Sequence, residues 1–492
     1  MRARRLAIAT LIALPMSFVG RPGAAPQTTP TFASDVAPII FNKCAGCHRP
    51  GEAAPFSLLS YEDVQKRGKL IATVTQRRYM PPWHGDSEMA TFRDDRRLSN
   101  SEIHVIQQWV EAGMPKGDAA KMPKLPQFID GWQLGQPDLV VKMKEPFEIP
   151  ADGPDVFRNF ALKLNLTEDR WVKAIEFRSS AKSSHHALFF LDQTGEAVQM
   201  DGAGRDHRPG FEGMSFIGGA GSLRGGADTG GTGQRGLLTG LGARFARGGA
   251  AGQGTAGLGG WAVGGVPHFL PDGLARPLPK GSDLVLQMHF HPTGKIEHEQ
   301  ATVGIYFADG PPQRTLTALQ MPPVFGAFAG INIPADAKRY VISDSFTLPI
   351  DADVIGGGAH AHYLATDMRM TATLPDGSKQ QLLAVPNWQF NWQEGYFFEK
   401  PVRLPKGTRL DVDIAYDNSS GNPNNPSNPP RRVTFGQQST DEMGAMTIEI
   451  VPVRESDLPE YASAVRDHLA GSVQKLLLGA IDNLGLRGGR QQ

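Results

Sequence analysis

Beyond about residue 135 the chain alternates apolar and polar positions in short runs: DLVVKM, NFALKLNL, WVKAIEF, HALFFLD, DLVLQMHF, ATVGIYF, RYVISDSF, TRLDVDIAY and MTIEI. Gly, Pro, Asp and Asn turns separate them, and a period of two between turn signals predicts antiparallel strands. Long helical patterns are absent from this region, which predicts β-sandwiches or jelly rolls. The turn-rich run DGPPQR divides it into domains of residues 135–312 and 316–452. Helical spacing is confined to the two ends. One helix is predicted over 34–43, with Val36, Ile39 and Ile40 on one side. A second, capped by Ser99 or Asn100, carries Ile103, Ile106, Trp109 and Val110 and stops at Gly113. Together they outline a small all-α domain, residues 30–120. Leu469, Val473, Leu476, Leu477 and Ile481 form the stripe of a C-terminal helix within 456–484.

Composition changes this picture in three places. Residues 202–265 hold 24 of the 57 glycines, so this stretch reads as a surface or cleft-covering insertion with little to bury. No phosphate-loop pattern accompanies it. The 50 basic and 50 acidic side chains cancel, and no basic stripe favours nucleic acid. The basic start MRARR precedes an apolar stretch, Leu6–Gly20, that is shorter than the roughly 20 residues needed to span a bilayer. Residues 1–25 are therefore expected to be an export signal, which implies a periplasmic or otherwise exported protein with no stable transmembrane segment after cleavage.

The only two cysteines are Cys44 and Cys47. With His48 they form C-x-x-C-H, in which two thiols add across haem vinyl groups and the imidazole takes the proximal side of the iron. The layout of residues 30–120 is that of a small class I cytochrome c. Met80, held by Pro81 and Pro82, is the expected distal ligand, with His84, His104 and Met114 as rivals.

Six further residues carry metal chemistry. His289 lies in LVLQMHFH, where Val285, Gln287, His289 and His291 share one strand face and Leu284, Leu286, Met288 and Phe290 the other. His360 and His362 share a face in GGGAHAH, and Met443 precedes a strand with a core-like face. The adjacent pair His185 and His186 needs a bulge or strand end to converge; taken alone, the pair also reads as an exposed loop or two hydrogen-bonded histidines. Three imidazoles suit copper or zinc, and a His, His, Met set adds a thioether that favours cuprous copper. Gln287 is a candidate hydrogen-bond partner of the ligands, or a packed glutamine.

At these residues the chain resembles the copper type II, ascorbate-dependent monooxygenases, the family of peptidylglycine alpha-hydroxylating and dopamine beta-monooxygenases. The HH pair and the histidine of LVLQMHF match one copper site; H-x-H and the methionine of STDEM match the other. The matching blocks run in order over roughly residues 135–452. The resemblance implies hydroxylation of an activated C–H bond by O2. His185, His186 and His289 would hold the electron-receiving copper, and His360, His362 and Met443 the oxygen-binding copper across a solvent cleft. Two departures accompany it: the disulfides of animal members are missing, and Ala445 and Thr447 stand where the peptide-amidating relative has Asn and Tyr to hold a carboxylate. Peptide amidation is therefore not expected.

The expected protein is an exported monooxygenase with two copper ions and one covalent haem c, acting on O2 and a small organic substrate. The haem would deliver electrons to the three-histidine copper, fed by an external reductant or a periplasmic donor. The alternative is a metalloprotein that carries copper or electrons without hydroxylating anything.

Overall fold

The computed structural model describes residues 29–52, 54–129, 131–201, 207–212, 257–436 and 438–483. The expected signal, residues 1–25, and most of the Gly-rich insertion lie outside them. Antiparallel sheet dominates, with few helices.

Every run predicted as a strand forms one, and two pairs of four-stranded sheets result. In the first pair, Leu139–Lys142, Thr302–Phe307, Arg170–Arg178 and Arg276–Leu278 face Val156–Lys163, Asp283–Phe290, Ser184–Asp192 and Gly257–Ala262. Val172, Phe177, Val303 and Ile305 from one sheet meet Phe160, Phe189, Leu284 and Leu286 from the other in a single core. In the second pair, Thr317–Met321, Gly444–Pro452, Ala352–Ala361 and Gly395–Leu404 face Tyr340–Thr347, Arg409–Tyr416, Ala365–Thr373 and Lys379–Pro386. Their core joins Val354, Tyr396 and Ile448 to Met368, Val412 and Ile414. The strand Gly257–Ala262 corrects the reading of residues 202–265 as loop throughout: its end is edge sheet beside Ser184–Asp192.

Helices Ala37–Lys43, Tyr61–Gln76 and Asn100–Glu111 gather Phe32, Val36, Ile40, Ile71, Ile106 and Trp109 into a third cluster. Of the two caps offered for the last of these helices, Ser99 is the one used: its Oγ accepts the Glu102 amide and its own amide donates to the Glu102 carboxylate. A distinct, self-contained all-α domain over 30–120 is nevertheless not evident. The proline-broken segment after Gln76 crosses to the second β unit, where Asp86 and Ala384 exchange backbone hydrogen bonds of 2.8 Å. Trp83 and Phe92 leave the helical cluster and pack with Tyr396 and Phe398. Each such aromatic ring removed from water is worth roughly 1.5–3 kcal/mol, which explains why the segment joins the larger core.

Helix Leu458–Asn483 docks on the same unit, through Tyr461 Oη donating to Ala318 O and His468 Nε2 lying 2.9 Å from Asp344 Oδ2. No helix among the described residues is long and apolar enough to cross a membrane.

Candidate metal centres

Strand Ser184–Asp192 pairs with Asp283–Phe290, and the register slips between Ser184 and His186. That bulge lets two consecutive imidazoles reach one point. His289 Nδ1 lies 3.2 Å from His185 Nδ1 and 3.1 Å from His186 Nε2. The three residues can offer ligand atoms all within 4.8 Å of one another. Three ring nitrogens facing each other cannot all be satisfied by shared protons, whereas one cation satisfies all three.

His289 is aimed by its other nitrogen, Nε2, 3.0 Å from Asp155 Oδ2, and Phe157 stacks on its ring at 4.2 Å. Asp155 also takes hydrogen bonds from His291 Nδ1 at 2.7 Å and Ser439 Oγ at 2.5 Å. Burial pulls the Asp155 carboxyl upward, but the bonds from His289, Ser439 and His291 hold it well below the usual range. Burial, with neighbouring imidazoles, depresses His185 to about 3 and His186 well below its ordinary value. His289 is lowered by burial, with Asp155 opposing. Neutral imidazole is the form that binds a metal, and a carboxylate behind it fixes the tautomer.

The second set is assembled by strand register. Ala361 pairs with Gly444 and His360 with Ala445, so the next position brings His362 opposite Met443. The two imidazoles lie 5.5 Å apart, centroid to centroid. His360 Nδ1 is 2.6 Å from Gln393 Oε1, and His362 Nδ1 is 3.2 Å from the Asp441 carbonyl. With Nδ1–H donated in both rings, each keeps Nε2 for a metal. Burial lowers His360 to about 4 and His362 to about 3. Met443 is buried. Glu442 ties the two segments together by accepting the amide N–H of His362, Met443 and Leu364 at 2.5, 2.9 and 3.0 Å. Burial still pushes its carboxyl up to about 8.

At the helical end, Cys44 and Cys47 are unpaired thiols. Burial pushes Cys44 up to about 12 and raises Cys47 as well, against the nearby Arg96. The amides of Cys47 and His48 both donate to Cys44 O, at 3.2 and 3.0 Å, closing a backbone turn over the three residues. His48 Nδ1 lies 3.1 Å from Phe56 O, so the ring is held by that nitrogen. Among the expected distal groups, Met80 is half-buried, and Met114 packs with the helical cluster against Gly68 and Trp109. His84 holds a buried Nε2 with no hydrogen-bond partner.

The structure corrects the role considered for Gln287 as a partner of the ligands: its Nε2 donates to Asn159 Oδ1 at 3.1 Å and the side chain is buried. Its strand is not one-sided either, since Val285, Gln287 and His289 are as buried as Leu284, Leu286 and Met288, and only His291 is exposed. Asp155, Phe390 and Gln393 are site residues that pattern reading missed, and Glu442, inside the matched STDEM, was given no role of its own. Phe390 and Gln393 lie in NWQFNWQ, where Trp388, Phe390 and Trp392 alternate with polar residues as a strand would, although the segment is a turn.

No protein-family model matches the chain, and no curated protein matches it. Similar solved structures include the VP2 subviral particle of infectious bursal disease virus, at 9% identity over 66% of this chain and 74% of that chain, TM-score 0.19. The major capsid protein P2 of bacteriophage PM2 is similar at 8% identity over 61% of this chain and 98% of that chain, TM-score 0.20. Overlaps this poor carry no argument about fold or function.

Proposed function

We propose that this protein is an exported monooxygenase that hydroxylates an activated C–H bond with O2, using two copper ions and a covalently attached haem c. The observation that carries the reading is the pair of imidazole sets, in which His289, His360 and His362 each have one ring nitrogen held by Asp155, Gln393 or the Asp441 carbonyl and the other left for a metal. His185, His186 and His289 would hold one copper. His360, His362 and Met443 would hold the other, where the thioether favours the cuprous ion. Copper, when bound, supplies one-electron chemistry and a coordination position for O2. Cys44, Cys47 and His48 would hold the haem, with Met80 as distal ligand.

The chain's own residues orient and insulate these groups. Asp155 keeps the His289 proton on Nε2; Gln393 and the Asp441 carbonyl do the same for Nδ1 of His360 and His362. Phe390 lies against both sets, with ring centroids 5.3 Å from His185, 5.8 Å from His289 and 6.0 Å from His362, and so keeps water from the ligands. Ala445 is buried. It has no polar group, and Thr447 has only a short hydroxyl whose oxygen already accepts from Gln320 Nε2, which supports a substrate anchored otherwise than a peptide C-terminus.

The test is O2 consumption by protein loaded with haem and copper, across a panel of small organic compounds with activated C–H bonds. Hydroxylated product formed in step with O2 uptake above a reductant-only control supports the reading. No such product with both copper sites filled leaves a copper or electron carrier.

A further inference from the structure

Arg96 stands where the three packed regions meet. Its Nη1 donates to Gly264 O at 3.3 Å in the first β unit, and its Nη2 donates to Pro82 O at 3.2 Å in the segment after the second helix. The same Nη2 pairs with Glu394 of the second β unit, a carboxylate with only 4% of its side chain exposed. The guanidinium also lies over Trp83, 5.3 Å from the ring centroid. Lys43 Nζ, one residue before Cys44, donates to Asp95 O at 2.9 Å, so the attachment segment is tied to the residue next to Arg96.

This junction places the haem-attachment motif beside one ligand set. A Cβ built on Gly264 would lie 3.9 Å from Cys47 Sγ, 3.6 Å from Glu394 Oε1 and 4.0 Å from the Arg96 guanidinium. Gly264 has φ +85°, a conformation that favours glycine, and it closes the turn after strand Gly257–Ala262. In that turn Val263 N–H donates to His185 O at 3.4 Å, and Ala262 pairs with His186. Cys47 is thus separated from His185 by one through-space gap to Gly264, two residues of backbone and one hydrogen bond.

We infer that Arg96 is a positioning residue that clamps the Cys44–His48 segment onto the Val263–Gly264 turn, making Cys47, Gly264, Val263 and His185 the electron route into the three-histidine site. The inference rests on the haem and copper reading above. Each passage is one electron: ferrous haem is oxidised to ferric and one cupric ion held by His185, His186 and His289 is reduced to cuprous, with no bond made and no proton transferred.

The experiment uses the full chain carrying haem and copper. Haem is prereduced without O2, and its oxidation on mixing with cupric ion at the three-histidine site is followed in the haem absorbance. Arg96→Ala and Gly264→Val should slow this phase by about tenfold or more, with the haem spectrum and copper content unchanged. Arg96→Lys should recover part of the rate, because it restores the charge with fewer donors. In the resting protein, the relaxation enhancement that ferric haem imposes on the cupric signal should weaken in Arg96→Ala, a change that a local folding defect away from the junction would not produce. If Arg96→Ala does not fold, Gly264→Val and Arg96→Lys carry the same comparison. An unchanged phase in folded variants overturns the route. So does loss of the phase in His360→Ala with retention in His289→Ala, which would place the route through Glu394, Gln393 and His360. A wild-type chain that attaches no haem or binds no copper overturns the functional reading and the route together, and is recognised from metal content before any rate is measured.

Discussion

The rings of His186 and His360 stand nearly perpendicular, 85° apart, with centroids separated by 6.3 Å. One belongs to the three-histidine set of the first β unit and the other to the set of the second, so the two sites are in side-chain contact. The resemblance to two-copper monooxygenases implies sites facing each other across solvent. Here Phe390 touches rings of both sets, and Asp155 of the first unit takes a hydrogen bond from Ser439 in the loop that leads to Met443.

Two cupric ions bound in such contact are expected to broaden each other's paramagnetic resonance. Protein loaded to two coppers per chain, oxidised and checked for cuprous ion, should show broadened copper lines. His360→Ala should leave one sharp mononuclear spectrum. Two sharp, independent spectra in the wild type would show that the sites lie apart in solution.

Metal content separates the two sites chemically. Met443→Leu keeps roughly the buried volume and removes only the sulfur, so the cost in stability should stay under about 1.5 kcal/mol. Affinity for cuprous ion at the second site should fall while the three-histidine site fills normally. Titration with a cuprous chelator reads both; equal loss at the two sites would contradict the assignment of Met443.

Acid should unfold the metal-stripped protein early. His185, His360 and His362 are held at about 3, 4 and 3, below their ordinary 6.5. They are neutral in the fold and take up protons on unfolding, so their stabilisation is present above pH 6.5 and lost as pH falls through that value. Glu442 and Glu394, raised by burial from 4.5 to about 8 and about 7, have the opposite sign and favour the fold toward low pH. Below pH 6.5 these three imidazoles outnumber the two carboxyls by one, so stability should fall by at least about 1.4 kcal/mol per pH unit, and more steeply because His186 and His289 are lowered in the same direction. Urea midpoints between pH 7.5 and 5 check the slope. Copper should flatten the upper part of the curve, because bound imidazoles no longer depend on solvation for their neutrality.

Much of the fold was legible because strand alternation and turn residues are local signals: Asp283–Phe290 and Gly444–Pro452 lie where their patterns place them. The grouping of His185, His186 and His289 was legible from the strand phase around His289 and from the adjacent pair, and the register slip between Ser184 and His186 is the bulge that such a pair needs to converge. What escaped was set by contacts between distant segments. Trp83 and Phe92 carry no mark saying which core they enter, and their choice of the second β unit removes the boundary expected for a separate helical domain. The loop holding Phe390 and Gln393 alternates like a strand but forms a turn. Asp155 became visible only once Val156 was seen to pair with Phe290, which sets residue 155 beside His291.

Phe390 is the most direct test of whether the contact between sites excludes solvent. Phe390→Ala removes a ring that lies against His185, His289, His362 and Tyr363, at a cost of roughly 3–5 kcal/mol if the gap does not close. Amide exchange at 360–363 and 184–187 should quicken, and reduced copper should consume O2 without substrate faster than in the wild type. A variant with unchanged exchange and unchanged substrate-free O2 uptake would assign Phe390 to packing alone.

Asp155 makes the sharpest prediction, because one carboxylate serves the metal site and the contact between the β units. Asp155→Asn keeps the size and can still hydrogen-bond to Ser439, but it replaces a charge that now accepts from His289 Nε2, His291 Nδ1 and Ser439 Oγ. An amide oxygen is a weaker acceptor, and an amide turned the other way presents N–H to His289 Nε2, which drives the His289 proton onto the nitrogen that faces the metal. Copper affinity at the three-histidine site should fall by about 10- to 100-fold, the usual effect of losing a carboxylate behind a ligand imidazole. The His360, His362 and Met443 site should fill as before. Ser439→Ala separates the two roles: it removes the Asp155–Ser439 hydrogen bond between the units and leaves the His289 bond, so affinity should hold while the coupling between the copper spectra weakens. Equal loss of copper in Ser439→Ala and Asp155→Asn would mean that the contact between units, rather than the His289 tautomer, sets the affinity.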